Sequence, residues 1–345
     1  MDFFSLIEEL SPEYGPAGFE DRVRDLLWQK LTPLCDETWT DTMGNLIGVK
    51  RSVQPDAKKL LLDAHMDEVG LIVTGIENGF LRFGNLGGID ARVLPATTVT
   101  VLTQDGPLPG VIDTMPPHAL STEDMDKAVP MDALVIDVGM TQAEAEAAVP
   151  LGTPVAFCTR PERLAGERIT GKSLDDRACA AMLLLVLEEL KNTALPVDLY
   201  VMFSVQEELG TRGAGCGVYG IDPDWALVLD VTHAKTPDAR SVTLMDLGGG
   251  PAIGVGPNMT RAISDTLIRL AKETVSPYQL EIMSGSSGTN AWPIQISRGG
   301  IAVGVLSLPL RYMHTPQEVI DGRDAEYMVR LVTEFVRRIE EVRAW

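Results

Sequence analysis

Histidine and cysteine are both scarce in this chain, four of each in 345 residues. The cysteines, Cys35, Cys158, Cys179 and Cys216, are scattered without CxxC spacing. That excludes a thiolate zinc site and a disulfide framework, and reads as reduced, mostly buried thiols. Positive charge is also short: 29 Lys and Arg against 49 Asp and Glu leave a formal charge of −20, which excludes nucleic-acid binding through phosphates. No apolar run is long enough to span a bilayer, and the N-terminal MDFFSLIEEL is acidic where a signal peptide is basic. No membrane partner is expected, and the cytoplasm is the expected compartment. Neither GxxxxGK[ST] nor GxGxxG after a strand occurs, so the glycine-rich stretch Thr211 to Gly220 is not a phosphate loop.

With 45% hydrophobic residues, the chain buries a sizeable core and is long enough for two domains. Its most informative stretch is VDLYVMFSVQEELG, a buried strand over Val197 to Val205 with Glu207 and Glu208 just past its C-terminal end. In open α/β sheets ligands bind outside the carboxyl ends of strands. Paired carboxylates there point to metal ligation or general acid–base chemistry; two solvated residues opening a turn are the plain alternative. Further strands are expected over Lys59 to Ala64, leading into His65-Met66-Asp67-Glu68, and over Trp225 to Leu229, ending in Asp230. Gly300 to Leu308 follows the same pattern before Arg311-Tyr312-Met313-His314, and Tyr278 to Met283 precedes a polar loop, Ser284 to Asn290. Helical spacing marks Phe3 to Leu10, Phe19 to Leu31, Arg261 to Val275 and a C-terminal helix carrying Met328, Leu331, Val332, Phe335, Val336 and Ile339. Cys35 to Lys50 reads as a hairpin around Met43-Gly44-Asn45.

Between Leu71 and Glu167 the texture changes to short apolar or alternating runs: Leu71 to Ile76, Phe80 to Phe83, Thr97 to Thr103, Ala133 to Val138 and Thr153 to Cys158. Asn78-Gly79 and Asp105-Gly106 punctuate them, as in a small β-rich domain. Helical patches are expected over Ser121 to Ala128 and Thr141 to Ala148. The expected division is therefore 1–70 and 168–345 for one catalytic α/β domain, interrupted by an inserted β-rich domain at 71–167.

Ser173 followed by Asp176 fits a capping box ahead of the apolar helix ACAAMLLLVLEEL. This accounts for Asp176 and leaves Asp175 without a structural task. His65, Asp175, Glu207, Glu208, Asp230 and His314 then gather at the expected edge of one sheet. Asp67 is near enough in sequence to support His65. Two imidazoles and three carboxylates, one of them bridging, can hold two divalent ions about 3.5–4 Å apart, leaving one carboxylate as general base. Nitrogen and oxygen donors without cysteine suit zinc, with cobalt or manganese as alternatives. His118, in a Pro-Pro-His loop, receives no catalytic role. His233, three positions past Asp230, leaves the site or lines it.

His65-Met66-Asp67, Gly171-Lys172-Ser173-Leu174-Asp175-Asp176-Arg177, Gln206-Glu207-Glu208-Leu209-Gly210-Thr211-Arg212-Gly213-Ala214, Asp230-Val231-Thr232 and Arg311-Tyr312-Met313-His314-Thr315-Pro316 together resemble the signature of the tetrahedral dinuclear aminopeptidases. These form metallopeptidase family forty-two of the MH clan, whose members also carry the names glutamyl aminopeptidase and cellulase M. The resemblance runs nearly end to end. It implies a three-layer, mixed-sheet, phosphorylase/hydrolase-like α/β domain with an inserted small PDZ-like β-barrel. It further implies that His65 and Asp230 bind one metal ion, Glu208 and His314 the other, that Asp175 bridges them, that Glu207 is the general base and that Asp67 supports His65. Peptides with a free N-terminus are the implied substrates, and dimers building up to a hollow twelve-subunit particle the implied assembly. Asn290 departs from the Gly-Thr-Asp-Ala of many relatives, which puts a charge-based role at that loop in doubt. Two other readings stand beside this one. A glycoside hydrolase would use the paired carboxylates but give two histidines no task; a noncatalytic assembly protein would lack one of the ligands, and none is missing.

Overall fold

The computed structural model describes residues 1–119, 121, 123, 127–237, 239 and 244–342. Alternation along each central strand decides which layer its side chains enter. In Lys59–His65, Leu60, Leu62 and Ala64 face one apolar layer and Leu61 faces the other, so Asp63 and His65 share the Leu61 side. Among the described residues, eleven strands form the main sheet. Its order is Glu37–Thr40, Leu46–Lys50, Asp198–Ser204, Lys59–His65, Trp225–His233, Ala302–Arg311, Glu318–Asp321, Arg168–Gly171 and Glu162–Arg163. Ala252–Val255 branches from Ala302–Arg311 and carries Gln279–Ile282 on its outer edge.

The four middle strands are parallel and apolar on both faces, as a covered sheet requires. Leu174–Glu189, Gly322–Arg337, Arg261–Glu273, Phe3–Leu10 and Asp21–Leu31 cover one face. Arg212–Ile221 and Ala291–Gln295 cover the other, giving three layers. Register then levels the carboxyl ends: Ser204 stands opposite His65, Val228 opposite Asp63, and Asp230 opposite Ser307. The residues that follow Ser204 and His65 therefore emerge side by side.

A second core lies in a closed antiparallel barrel of six strands, Gly70–Glu77, Phe80–Leu86, Thr98–Thr103, Gly106–Ile112, Ile136–Asp137 and Pro154–Phe157. Leu71, Val73, Leu81, Phe83, Val99, Val101, Ile112, Ile136, Val155 and Phe157 fill it. Asn78 and Gly79 both take positive φ, 55° and 88°, in the tight hairpin turn their sequence signals. After Phe157 the chain rejoins the main sheet through Glu162–Arg163.

Several expectations need correction. Trp225–His233 does not stop before Asp230 but continues to His233, because Ala302–Arg311 pairs with it along its whole length. Gly106–Ile112 is a strand although it contains Pro107 and Pro109; their missing N–H groups hid it from the sequence pattern. Glu318–Asp321 is a further strand, too short to stand out. The helix over Thr141 to Ala148 is present as Gln142–Ala148, with a Thr141–Glu144 capping box. Half of the patch expected over 121–128 lies outside the described residues. No described helix is long and apolar enough to cross a membrane.

Asn45 fixes the end of the Asp198–Ser204 strand, where the two adjacent glutamates begin. Its Oδ1 accepts from Val205 N–H at 3.0 Å, and its Nδ2 donates to the Gly213 carbonyl at 2.8 Å and to Asp41 at 2.7 Å. Asn45→Ala strips buried backbone groups on both sides of the loop of their partners, at a cost of about 1–3 kcal/mol. Urea unfolding should show that loss; a change below about 0.5 kcal/mol would mean that the loop is anchored elsewhere.

Candidate metal centre

Both histidines of the site have one ring nitrogen committed to a backbone carbonyl. His65 Nδ1 lies 3.2 Å from the Asp67 carbonyl oxygen, which can only accept, so Nδ1 carries the proton. Its Nε2 faces Asp175 Oδ1 at 3.0 Å. His314 repeats the arrangement, with Nδ1 donating to the Gly88 carbonyl at 2.8 Å and Nε2 lying 3.3 Å from Asp175 Oδ2 and 3.2 Å from Glu208 Oε1. Asp175 thus stands between two imidazoles that approach its two oxygens separately.

Two buried carboxylates hold the chain that carries these groups. Asp67 accepts from the backbone N–H of Glu207 at 3.0 Å and of Glu208 at 3.1 Å, one on each oxygen. Glu318 does the same for the backbone of Asp175 at 3.1 Å and His314 at 3.0 Å. His314 needs such an anchor, since its φ of 59° lies in the left-handed region that side chains disfavour. Gly87, at φ 86°, packs against this cluster where no other residue fits: a Cβ there would come within 2.8 Å of Val69 and 3.2 Å of Glu208.

Burial and crowding govern the charge. Burial, with help from Glu208, Asp67 and Asp175 and against His65, pushes the Glu207 carboxyl up to about 8. It also raises Glu208, and it raises Asp230 and Glu318 well above the ordinary range. Against the cost of its burial, His314 and His65 hold Asp175 well below that range. Likewise, against burial, Asp175 and Glu208 raise His314 to about 11. Protons are drawn in because this edge concentrates negative charge, and a bound cation would meet the same field.

The six expected residues therefore converge. Three sets of donor atoms each lie within 4.8 Å of one another: His65, Asp175 and Asp230; Asp175, Glu208 and His314; and His65, Glu207 and Glu208. The first two sets share Asp175 and give each of two ions one imidazole and two carboxylates. The donors suit zinc, cobalt or manganese, and the Nε2 lone pairs are oriented by the Nδ1 bonds; the residues fit a pair of divalent ions. His118 and His233 are exposed and lie outside these sets.

The capping-box expectation fails. Ser173 takes φ 53° and makes no side-chain cap; its hydroxyl bonds Glu68, and Lys172 Nζ reaches it at 3.0 Å. Asp175 and Asp176 have non-helical backbone, and regular helix begins only after them. Asp176 is fully buried with neither oxygen on an N–H or O–H donor, and burial beside Asp230 pushes its carboxyl well above the ordinary range. Its structural explanation from sequence was therefore incorrect, because Glu68 competes for the Ser173 hydroxyl. Glu318 was missed altogether; its one signal was a carboxylate four residues after His314. Asn290 does carry no charge, but its Nδ2 donates to Asp63 Oδ2 and Ser204 Oγ, both at 2.8 Å, so the carboxylate comes from the facing strand.

Glu318→Gln keeps every donor in place and removes one acceptor from the paired backbone grip. Zinc affinity, read by competition with a chelating dye, should fall by roughly 10–100-fold. An unchanged affinity would show that the backbone holds the site without Glu318.

Comparison with known proteins gives a consistent picture. The sequence matches the family model for M42 glutamyl aminopeptidases over residues 44–331. It is 32% identical over 342 residues to a lysyl aminopeptidase of Pyrococcus furiosus, covering 98% of this chain and 97% of the relative. Its fold is similar to a TET aminopeptidase from a marine sediment archaeon of the Thaumarchaeota (TM-score 0.92, 31% identity), covering 99% of this chain and 98% of the other. It is also similar to the TET1 peptidase of Pyrococcus horikoshii, which can assemble into a tetrahedron or a large octahedral shell (TM-score 0.86, 29% identity, 98% of this chain and 100% of that one).

Proposed function

The chain belongs to the M42 glutamyl aminopeptidase family and is a metal-dependent aminopeptidase, and from that premise we propose how its own residues divide the work. His65 and Asp230 would hold one divalent ion and Glu208 and His314 the other, with Asp175 common to both sets; Asp67 fixes His65 and the two glutamates. The observation that carries this reading is Asp175, with one oxygen toward each imidazole. Bound there, two divalent ions, zinc or else cobalt or manganese, would supply Lewis acidity toward the scissile carbonyl and a nucleophilic water.

Glu207 is left for proton transfer. Its carboxylate takes a proton from the attacking water, holds it at an oxygen in a pocket where burial favours the neutral acid, and returns it to the leaving amine. The surrounding carboxylates favour a free ammonium at the substrate's N-terminus, which suits short peptides lost one residue at a time. The glycosidase alternative has no role for His65 or His314. All four cysteines are free, which suits a reducing compartment such as the cytoplasm.

Glu207→Gln should lower kcat by roughly 10²–10⁴ while metal content stays, whereas Glu208→Gln should lose metal. In the same assay N-acetylated peptides should react far more slowly than free ones, and chelator should stop turnover. The reverse behaviour of the two variants would exchange their roles. Sugar release from a soluble glucan with intact peptides would sink the peptidase assignment of this site.

We read residues 71–167 as an inserted domain whose task is contact between subunits, and 1–70 with 168–345 as the catalytic domain. Dimers are the building unit, with assembly up to a dodecamer; the shell-forming TET1 peptidase supports this. Sedimentation of the full chain should give a species larger than one subunit, and replacing 71–167 by a short linker a smaller one. A monomeric full-length protein refutes the assembly role.

A further inference from the structure

We propose that Glu20 is a positioning residue for proton transfer: together with Asp67 it grips three successive backbone N–H groups, those of Gln206, Glu207 and Glu208, and so sets where the Glu207 carboxyl stands. The proposal rests on the reading of Glu207 as general base and adds a residue that acts through it. Glu20 stands at the start of the helix Asp21–Leu31, 186 residues before Gln206, and its Oε1 accepts from the Gln206 N–H at 3.1 Å. Asp67 takes the next two N–H groups, one on each oxygen. The two carboxylates are carried on adjoining backbone. The Ala17 N–H donates to the Glu68 carbonyl at 3.1 Å and the Glu68 N–H to the Gly15 carbonyl at 3.0 Å, so the turn that leads to Glu20 is laced to the chain just past Asp67.

Three features separate this grip from ordinary packing. Gln206 takes φ 53°, in the left-handed region that a residue with a side chain leaves unless its backbone is held. A return to the extended or right-handed conformation there would swing the next residue, Glu207, and with it the carboxyl that moves the proton. Glu20 also forgoes the task its own place offers. A carboxylate at a helix N-terminus stabilises that helix by accepting from its first N–H groups, yet Glu20 makes no such cap bond. Its Oε1 turns back to the Gly18 N–H at 2.7 Å, which fixes the direction of the side chain, and reaches on to Gln206. Finally, the carboxylate is kept where charge is disfavoured: burial, and then the neighbouring Asp67, push it up to about 7. Glu20 is buried beside a like charge and bonded to a distant loop in place of its own helix, a departure from local rules that fits a residue kept for the site.

The test uses the full chain loaded with zinc and the free tripeptide that it cleaves fastest. Glu20→Asp keeps the charge, and aspartate suits a helix N-terminus, but the reach to Gln206 is shorter by one methylene. It should lower kcat by roughly 10–100-fold, with KM within about threefold and zinc content and urea midpoint unchanged, because a displaced base costs rate and not binding. Glu20→Gln restores an acceptor oxygen at full reach and should return kcat to within about fivefold of the unmodified enzyme. Adding Gln206→Gly to Glu20→Asp should recover roughly fivefold or more in kcat, since glycine holds a positive φ without being gripped. An unchanged kcat in Glu20→Asp, a loss carried by KM, zinc content or urea midpoint in its place, or no recovery from Glu20→Gln or from Gln206→Gly would each overturn the proposal while the enzyme remains an aminopeptidase. Full kcat in Glu207→Gln would instead remove the base assignment on which it rests.

Discussion

Two protons, held at the Nδ1 atoms of His65 and His314, decide what the edge of this sheet can do. Each is given to a backbone carbonyl, that of Asp67 or of Gly88, so each ring presents Nε2 to Asp175. Were either carbonyl turned away, that ring could take the other tautomer or rotate, and Asp175 would lose one of its two opposed neighbours. The rest follows from keeping those carbonyls still.

The buried polar residues around them serve that end. Arg177, fully buried, donates to the carbonyls of Met66 at 2.6 Å and Leu10 at 2.8 Å, and so grips the chain between His65 and Asp67 from behind. Glu68 answers the buried Lys172 at 2.5 Å and accepts from Gly15 N–H at 2.9 Å. These cations neutralise Glu68, not the carboxylates that face the cleft. A buried ion pair contributes little net stability, but removing one member leaves an uncompensated charge, so the network fixes position more than it stabilises the fold. The negative charge left facing the cleft is the part a divalent ion can answer.

What the sequence made legible and what it did not divide along a physical line. His65, Asp175, Glu207, Glu208, Asp230 and His314 were visible because each follows, ends or opens a buried apolar run, and a charged residue in such a place has few structural reasons to be there. The strand pattern that located them is a local property. Asp63 was invisible, and Glu318 nearly so, because Asp63 serves a partner 227 residues away, Asn290, and Glu318 serves Asp175, 143 residues away, as well as the nearby His314. Asp176 was misread for a related reason: a hydroxyl three residues ahead of a carboxylate signals a cap only if no stronger acceptor competes, and Glu68, 105 residues from Ser173, does. Gly106–Ile112 failed differently, since two prolines argue against a strand unless the barrel spares their missing donors.

The barrel's connection to the centre has a stricter form than adjacency. The chain enters the barrel at Gly70, two residues after Glu68, and the hairpin that closes its first turn ends at Leu86, followed by Gly87 and Gly88. Gly87 lies against Glu208, and the Gly88 carbonyl fixes the proton on His314. His314 arrives from the far end of the sequence, held at its own backbone by Glu318. The His314 side chain is therefore oriented by the main sheet at its backbone and by the barrel at its ring. A displacement of the barrel against the sheet by even an ångström acts directly on the Nδ1 hydrogen bond, which leaves a physical path from the barrel to the proposed metal site through a single carbonyl group.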